Sequence, residues 1–343
     1  MTTADNHSTL TVAEAGEIES LTRTVSRLGQ GAPSQFVLVG PGDDCAVVSA
    51  PDARFVVTTD TMVEGPDFRL GWSSWFDLGW KAVASNVSDV AAMGARPTAL
   101  VVALVVPGSV LVADLEAFAD GLKAACDALA PGCSIVGGDL ASGSQVVIAV
   151  TAHGTLEGRE PVLRSGARPG DILAVGGTLG QAACGLALLF SGTDVAAAYD
   201  EWVAVQLRPM PPVGLGVEAA LAGASSMLDI SDGLAKDAAR IGRASGATLD
   251  ISSSALFGFE ARLEGAAQAL CLHAGDGSSA ERLTRAWVLG GGEDHSLLAT
   301  FPAQAVLPRG FKAIGRVVSA GDSAVLLDGS PLVESGWDSS LGR

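Results

Sequence analysis

Short apolar runs closed by glycine or proline alternate along this chain with longer stretches of helical spacing. Runs at 36–39, 46–49 and 55–59 predict strands separated by turns. An amphipathic helix is predicted before them, over 11–28. A second helix is predicted over 73–94; it opens on serine caps, closes on a glycine, and places Asn86 and Asp89 on one face at i and i+3, where they are positioned to share one ion. There follow a buried strand at 99–106, a helix at 112–129, and strands at 133–136 and 145–153.

The stretch 158–170 carries Arg159, Arg164, Arg168 and several turn residues, and it reads as a linker. Beyond it the pattern predicts a strand at 171–175 and a helix running to 189, opened by Gly176-Gly177-Thr178-Leu179-Gly180. Further helices at 213–222 and 233–244 and strands at 227–229, 247–251, 296–301, 311–318 and 325–327 complete the reading. Strands and helices mix without strict βαβ alternation, which predicts an α/β protein with mixed sheets. At 343 residues the chain exceeds the roughly 250–300 at which single cores stop growing, so two domains are expected, 1–157 and 158–343.

Composition narrows the partners. With 48% hydrophobic and 17% charged residues the chain has the makeup of a globular enzyme and not of a disordered protein. Lys and Arg number 21 against 38 Asp and Glu, a net charge of −17, so duplex nucleic acid and anionic membranes are repelled. The longest apolar run, 98–106, stops at Pro107-Gly108, short of the ~20 residues of a spanning helix. Five cysteines without a C-x-x-C pair predict neither a zinc site nor a disulfide framework, and fit a reducing cytoplasm. The first ten residues, with Asp5 and His7, lack the apolar segment of a signal peptide and predict a loose tail.

The chemistry lies in acids that follow apolar runs: Gly42-Asp43-Asp44, Thr58-Thr59-Asp60, Asn86-Val87-Ser88-Asp89, Gly137-Gly138-Asp139, Asp229-Ile230-Ser231-Asp232-Gly233 and Gly291-Gly292-Glu293-Asp294. Two bare carboxylates about 4 Å apart repel by roughly 4 kcal/mol at an effective dielectric near 20, so a converging set calls for cations. Hard oxygen ligands favour Mg2+ with a phosphate-bearing substrate. Several of these acids also have a plainer reading: Asp43-Asp44 as a turn, Asp60 as a strand-end cap, Asp89 on a solvated helix face, Asp232 as the N-cap of the next helix, Glu293 in a solvated turn. The glycines at 176–180 fit either phosphate binding or tight helix–strand packing. No G-x-x-x-x-G-K-[ST] and no G-x-S-x-G occurs, and His7, His153, His273 and His295 have no evident nucleophile partner. His153 and His295 read as structural residues, and Cys45 and Cys133 as small core residues.

In order and spacing these blocks resemble the thiamine-monophosphate kinase family, within the purine-synthetase-like superfamily that also holds aminoimidazole ribonucleotide synthetase and selenophosphate synthetase. Besides the acidic blocks the resemblance rests on Thr61-Met62-Val63-Glu64-Gly65, Ala91-Ala92-Met93-Gly94-Ala95 and Arg164-Ser165-Gly166-Ala167, and it spans nearly the whole chain. It implies a two-domain fold, an N-terminal ATP- and Mg-binding domain whose sheet forms a homodimer, and a C-terminal α/β domain completing the active site. The implied activity is transfer of the ATP γ-phosphoryl group to thiamine monophosphate, giving thiamine diphosphate, with several Mg2+ ions. The alternatives are an ATP-dependent ligase of the aminoimidazole ribonucleotide synthetase type and a catalytically silent nucleotide- or metal-binding homologue.

By the same resemblance Asp43, Thr58, Thr59, Asp60, Asp89, Asp139, Asp229 and Asp232 hold metal, with Asp44 beside them. Gly138, Asp139, Arg164 and Ser231 meet ATP, and Asp67, Glu293 and Trp337 meet the substrate. No general base is implied, because a phosphate monoester with a second pKa of about 6 is already ionised. The chain departs from the family pattern at Asp67, where His is common, at Pro212, where Arg is common, and at His295, where Tyr is common.

Overall fold

The computed structural model describes residues 9–28, 35–39, 46–275, 277 and 279–336. They divide into two compact units: the described residues up to Asn86 with Pro97–Thr155, and Val87–Arg96 with the described residues from Leu156 onward.

The first unit contains α1 (Val12–Leu28, broken at Gly16), β1 (Val37–Val39), β2 (Val47–Val48), β3 (Val56–Val63), most of α2 (Trp75–Ala92), β4 (Arg96–Val106), α3 (Val112–Leu129), β5 (Ser134–Ser142) and β6 (Val147–Thr155). Its main sheet has the order β3-β6-β4-β5, with β3 antiparallel to β6 and β4 parallel to β5. Helix α2 begins at a capping box. The Asp77 carboxylate takes the Ser74 N–H at 3.0 Å and hydroxyl at 2.7 Å, while Ser74 Oγ accepts from the Asp77 N–H at 3.2 Å. It ends where Gly94, at φ 70°, donates to Ala91 O and Ala95 donates to Val90 O. Helices α2 and α3 cross at a pair of glycines: a Cβ on Gly79 would stand 2.1 Å from Phe118 O, and one on Gly121 2.1 Å from Phe76 O.

The second unit contains β7 (Ile172–Gly176), α4 (Gln181–Ser191), α5 (Thr193–Ala197), α6 (Asp200–Leu207), α7 (Val213–Leu221), β8 (Ser226–Ile230), α8 (Leu234–Ser245), β9 (Ala247–Ile251), α9 (Ser253–Ala274), α10 (Ala280–Gly290), β10 (Ser296–Phe301), β11 (Phe311–Ser319), β12 (Val325–Leu327) and β13 (Ser330–Pro331). The sheet order is β13-β12-β9-β11-β7-β10-β8, antiparallel at every step except β12/β9. Leu173, Val175, Leu228, Ile230, Leu298 and Ile314 from the sheet share one buried cluster with Leu188, Leu234, Leu263 and Trp287 from the helices. Full burial of each such side chain contributes about 1.5–3 kcal/mol.

The structure departs from the sequence reading in three ways. Segment Val87–Arg96 groups with the second unit, because Met93 O accepts from the Val162 N–H at 3.1 Å and Gly94 O from Arg159. Asp60 and Asp139 lie inside β3 and β5, not past their ends, because the apolar run stops at each acid while the strand continues; β8 runs one residue beyond Asp229. Helices α5, α6, α9 and α10 and strand β13 were not foreseen.

Candidate active site

Strand β8 alternates faces, sending Leu228 and Ile230 into the core and Asp229 to the opposite side. Asp229 is nevertheless only 2% exposed. Ser88 Oγ donates to its Oδ2 at 3.0 Å, and His295 Nδ1 lies 3.4 Å from the same oxygen and 3.3 Å from Ser88 Oγ. Both contacts fall on Oδ2, so Oδ1 keeps its lone pairs for another partner. His295 therefore has a structural partner, as its sequence context predicted, and that partner is a candidate metal ligand.

After Ser231-Asp232 the chain turns at Gly233, φ 124°, into α8. The cap of α8 corrects the sequence reading: the N–H groups of Asp232 and Gly233 donate at 3.1 Å each to the Asp237 carboxylate, and no Asp232 side-chain cap forms. The Asp232 carboxylate pairs instead with Arg240 and with Lys236 Nζ, the latter at 3.3 Å. Burial pushes the Asp237 carboxyl up to about 6, with Arg240 pulling the other way.

The segment after α10 returns to this turn. Glu293 N–H donates to Ser231 O at 2.8 Å and His295 N–H to Ile230 O at 3.0 Å. Glu293 (φ 66°) and His295 (φ 49°) are both left-handed, an arrangement that non-glycine residues adopt at a cost of about 1–3 kcal/mol and that clusters at functional sites. Three consecutive side chains thereby serve three places: Glu293 takes a hydrogen bond from Gln206, Asp294 turns to α4, and His295 turns to Asp229. The Asp294 carboxylate receives the N–H groups of Gly180, Gln181 and Ala182 at 2.5, 3.1 and 3.3 Å. An internal carboxylate thus occupies the start of α4, and of the two readings of the glycines at 176–180 the packing one holds. Burial pushes Asp294 up to about 6 against the pull of those three donors.

A Cβ on Gly336, the last described residue, would stand 2.4 Å from Asp232 O, so the segment leading to Trp337 runs beside the Ser231–Asp232 turn. Trp337 itself lies outside the described residues. Arg164 opens a single 3-10 turn, pinned where Ser245 Oγ donates to Arg164 O at 2.9 Å and accepts from the Ala167 N–H at 3.1 Å. Its guanidinium is exposed and has no acid partner among the described residues.

In the first unit Thr59 Oγ1 donates to Val150 O at 2.9 Å and the Asp60 N–H donates to Asn86 Oδ1 at 3.2 Å. Asn86 Nδ2 in turn donates to Ala82 O at 2.9 Å, so both ends of that amide serve the backbone. Thr58 pairs across the sheet with Ala152. The Asp67 carboxylate closes its own turn by accepting from the Val63 N–H at 2.7 Å. Gly138 pairs opposite Val102, and a Cβ there would stand 2.1 Å from Val102 O, so only glycine fits. Asp139 follows, exposed and without a partner among the described residues. Strands β3 and β5 form opposite edges of the sheet, roughly 14 Å apart by strand spacing, which separates Asp60 from Asp139 within this unit. Asp89 is half-buried in α2 between buried Ser88 and Val90. Asp43 and Asp44 lie outside the described residues.

Every candidate ligand offers a hard oxygen, and Asp229 Oδ1 and Asp139 retain lone pairs, so the donor chemistry fits Mg2+. Asp232 fits least, its charge being balanced by two cations. Among the described residues no three of His, Cys, Asp and Glu gather closely enough to hold an ion.

The sequence reading missed Ser88, Gln206 and Asp237. Ser88 stands inside the Asn86–Asp89 block, and Asp237 lies one turn into a helix opened by an acid, both of which are readable signals. Gln206 lies on the unforeseen α6 and carries none.

Residues 42–156 match the family model described as AIR synthase related protein, N-terminal domain. A thiamine-monophosphate kinase of Mycobacterium tuberculosis is 43% identical over 330 residues, covering 96% of this chain and 93% of that protein. The crystal structure of the thiamine-monophosphate kinase of Stenotrophomonas maltophilia K279a superposes with a TM-score of 0.73 at 31% identity, over 91% of this chain and 97% of that one. AaThiL complexed with AMPPCP and TMP superposes with a TM-score of 0.70 at 30% identity, over 94% and 97%. The mixed-sheet architecture, the ordered acidic blocks and a relative matched almost end to end lead to one conclusion: the chain belongs to the thiamine-monophosphate kinase family.

Proposed function

We propose that the protein transfers the γ-phosphoryl group of ATP directly onto the phosphate of thiamine monophosphate, forming thiamine diphosphate and ADP. The observation that carries this reading is the likeness, over 94% of the chain, to a structure complexed with AMPPCP and TMP, together with acidic blocks in family order.

The chemistry asks little of a general base. The acceptor phosphate is ionised at neutral pH, and the one buried histidine among the described residues, His295, is engaged with Asp229. What the reaction needs is alignment and charge neutralisation of two polyanions, which bound Mg2+ supplies. Asp43, Thr58, Thr59, Asp60, Asp89, Asp139 and Asp229 are the proposed ligands, with Asp44 adjacent; Asp232 joins them only by exchanging Arg240 and Lys236 for the ion. Gly138 and Ser231 approach ATP, and Arg164, without an acid partner among the described residues, presents a fork suited to phosphate oxygens. Glu293 and Trp337 enclose the thiamine moiety, a carboxylate and an aromatic face suited to a cationic ring. Asp67, bound to its own turn, lines the substrate side.

The domain boundary is proposed near residue 157, with 87–96 belonging to the second domain. A homodimer is proposed through the first unit's sheet, supported by Val57 in edge strand β3 and Phe55 just before it, which remain 57% and 59% exposed. A cytoplasmic location is supported by free thiols at Cys126, Cys133, Cys184 and Cys271. No described helix is long and apolar enough to cross a membrane.

The test is product analysis of the purified protein with ATP, Mg2+ and thiamine monophosphate, with and without EDTA. Thiamine diphosphate that disappears with EDTA supports the reading. Its absence at full Mg2+, or ADP formed only with an aminoimidazole precursor, overturns it.

A further inference from the structure

Gln206 holds a buried amide oxygen that has no donor among the described residues, in a side chain only 5% exposed. Its Nε2 donates to Glu293 Oε2 at 2.5 Å. A carboxylate accepts and cannot donate, so the amide orientation is set: nitrogen toward Glu293, oxygen turned elsewhere. A buried acceptor left without a donor costs about 1–3 kcal/mol, and each such group in a native structure calls for an explanation.

The position is built and not incidental. Helix α6 lies against α4 at Gly185, where a Cβ would stand 2.1 Å from Trp202 O and 2.9 Å from the Gln206 Cβ. The partner Glu293 is held in a left-handed backbone with its N–H on Ser231 O. Two acceptors, one anionic and one neutral, are thus fixed side by side on rigid supports.

Adjacent acceptors of this kind match a ligand with neighbouring N–H donors, and the charge of Glu293 repels phosphate. An amino-substituted nitrogen heterocycle, with an exocyclic amine beside a protonatable ring nitrogen, has the required pattern. Thiamine monophosphate contains one such group, its aminopyrimidine, while its thiazolium ring carries no N–H donor. We propose that Gln206 is a substrate-specificity residue: its Oε1 accepts from the exocyclic amine of the substrate pyrimidine while its Nε2 holds the Glu293 carboxylate for the ring nitrogen. This assignment rests on the kinase reading above and adds the residue that discriminates the amino group.

The experiment compares wild type, Gln206→Leu and Gln206→Asn on thiamine monophosphate and on the analogue whose pyrimidine amine is replaced by an oxo group. A site that hydrogen-bonds a substrate N–H rejects the analogue lacking it because its own polar groups then go unpaired. Wild type is expected to prefer the amino substrate at least thirtyfold in kcat/KM. Gln206→Leu should raise KM for thiamine monophosphate at least tenfold, keep KM for ATP within twofold, and shrink the amino-over-oxo preference to threefold or less. Gln206→Asn, which keeps the amide one methylene short, should fall between them and covers the case in which the leucine variant fails to fold. An amino-over-oxo preference unchanged in a folded variant overturns the assignment while wild-type turnover leaves the kinase reading intact. A wild type that makes no thiamine diphosphate removes both.

Discussion

The carboxylate of Asp294 accepts the backbone N–H of Gln181 at 3.1 Å, and so a residue 113 positions later in the chain closes the first turn of α4. The unpaired N–H groups and the dipole at a helix start suit an anion, and here the anion is supplied internally. Burial nonetheless raises this carboxyl to about 6, above the ordinary value of 3.8. A carboxyl raised in the folded state contributes stability that is complete below its unfolded value and is lost as pH rises through the folded one. Wild type should therefore lose stability relative to Asp294→Asn between about pH 4 and pH 7, by on the order of 3 kcal/mol. Urea denaturation of both proteins at pH 4.5 and 7.5 measures the difference, and parallel pH slopes would refute it.

Gly138 is a second point of tight geometry. Alanine there places a Cβ 2.1 Å from Val102 O, and backbone cannot move aside as a flexible side chain can. Gly138→Ala should destabilise the protein by at least about 2 kcal/mol, within the range of overpacked cores. The midpoint of chemical denaturation reports it.

Asp229→Asn keeps the shape of the side chain and its contacts with Ser88 and His295 but removes the charge proposed to hold Mg2+. Turnover should fall at least roughly tenfold, a barrier increase of about 1.4 kcal/mol, with the unfolding midpoint nearly unchanged. Unchanged turnover would mean that Asp229 holds no ion.

Phe55 and Val57 lie together at one sheet edge with more than half of each side chain exposed. If that edge is the dimer contact, Phe55→Lys with Val57→Lys should shift sedimentation from dimer to monomer. Wild type that sediments as a monomer would contradict the proposed assembly.

Much of this was readable in the sequence, for identifiable reasons. Helix 112–129 and strands 247–251 and 296–301 matched at both ends, because their apolar periodicity is strong and glycine or proline punctuates them. Helix α9 escaped notice although Leu256, Phe259, Leu263, Ala267 and Leu270 lie on one helical face; Gly258 and Gly265 interrupt the pattern, and Ala266 and Ala267 weaken its apolar contrast. The acids stand out in the sequence because they follow apolar runs, but their partners do not. The pairing of Arg240 and Lys236 with Asp232 depends on side-chain geometry within a helix turn that composition does not reveal. The role of Asp294 was hidden for a different reason: its donors are more than a hundred residues away, and only the fold brings them together.

The most direct measurement follows the label of γ-32P-ATP when enzyme, Mg2+ and thiamine monophosphate are mixed with enzyme in excess. The label is expected in thiamine diphosphate, one equivalent per ADP formed, without passing through a labelled protein. Label released as inorganic phosphate, or retained on the protein while no thiamine diphosphate forms, would contradict it.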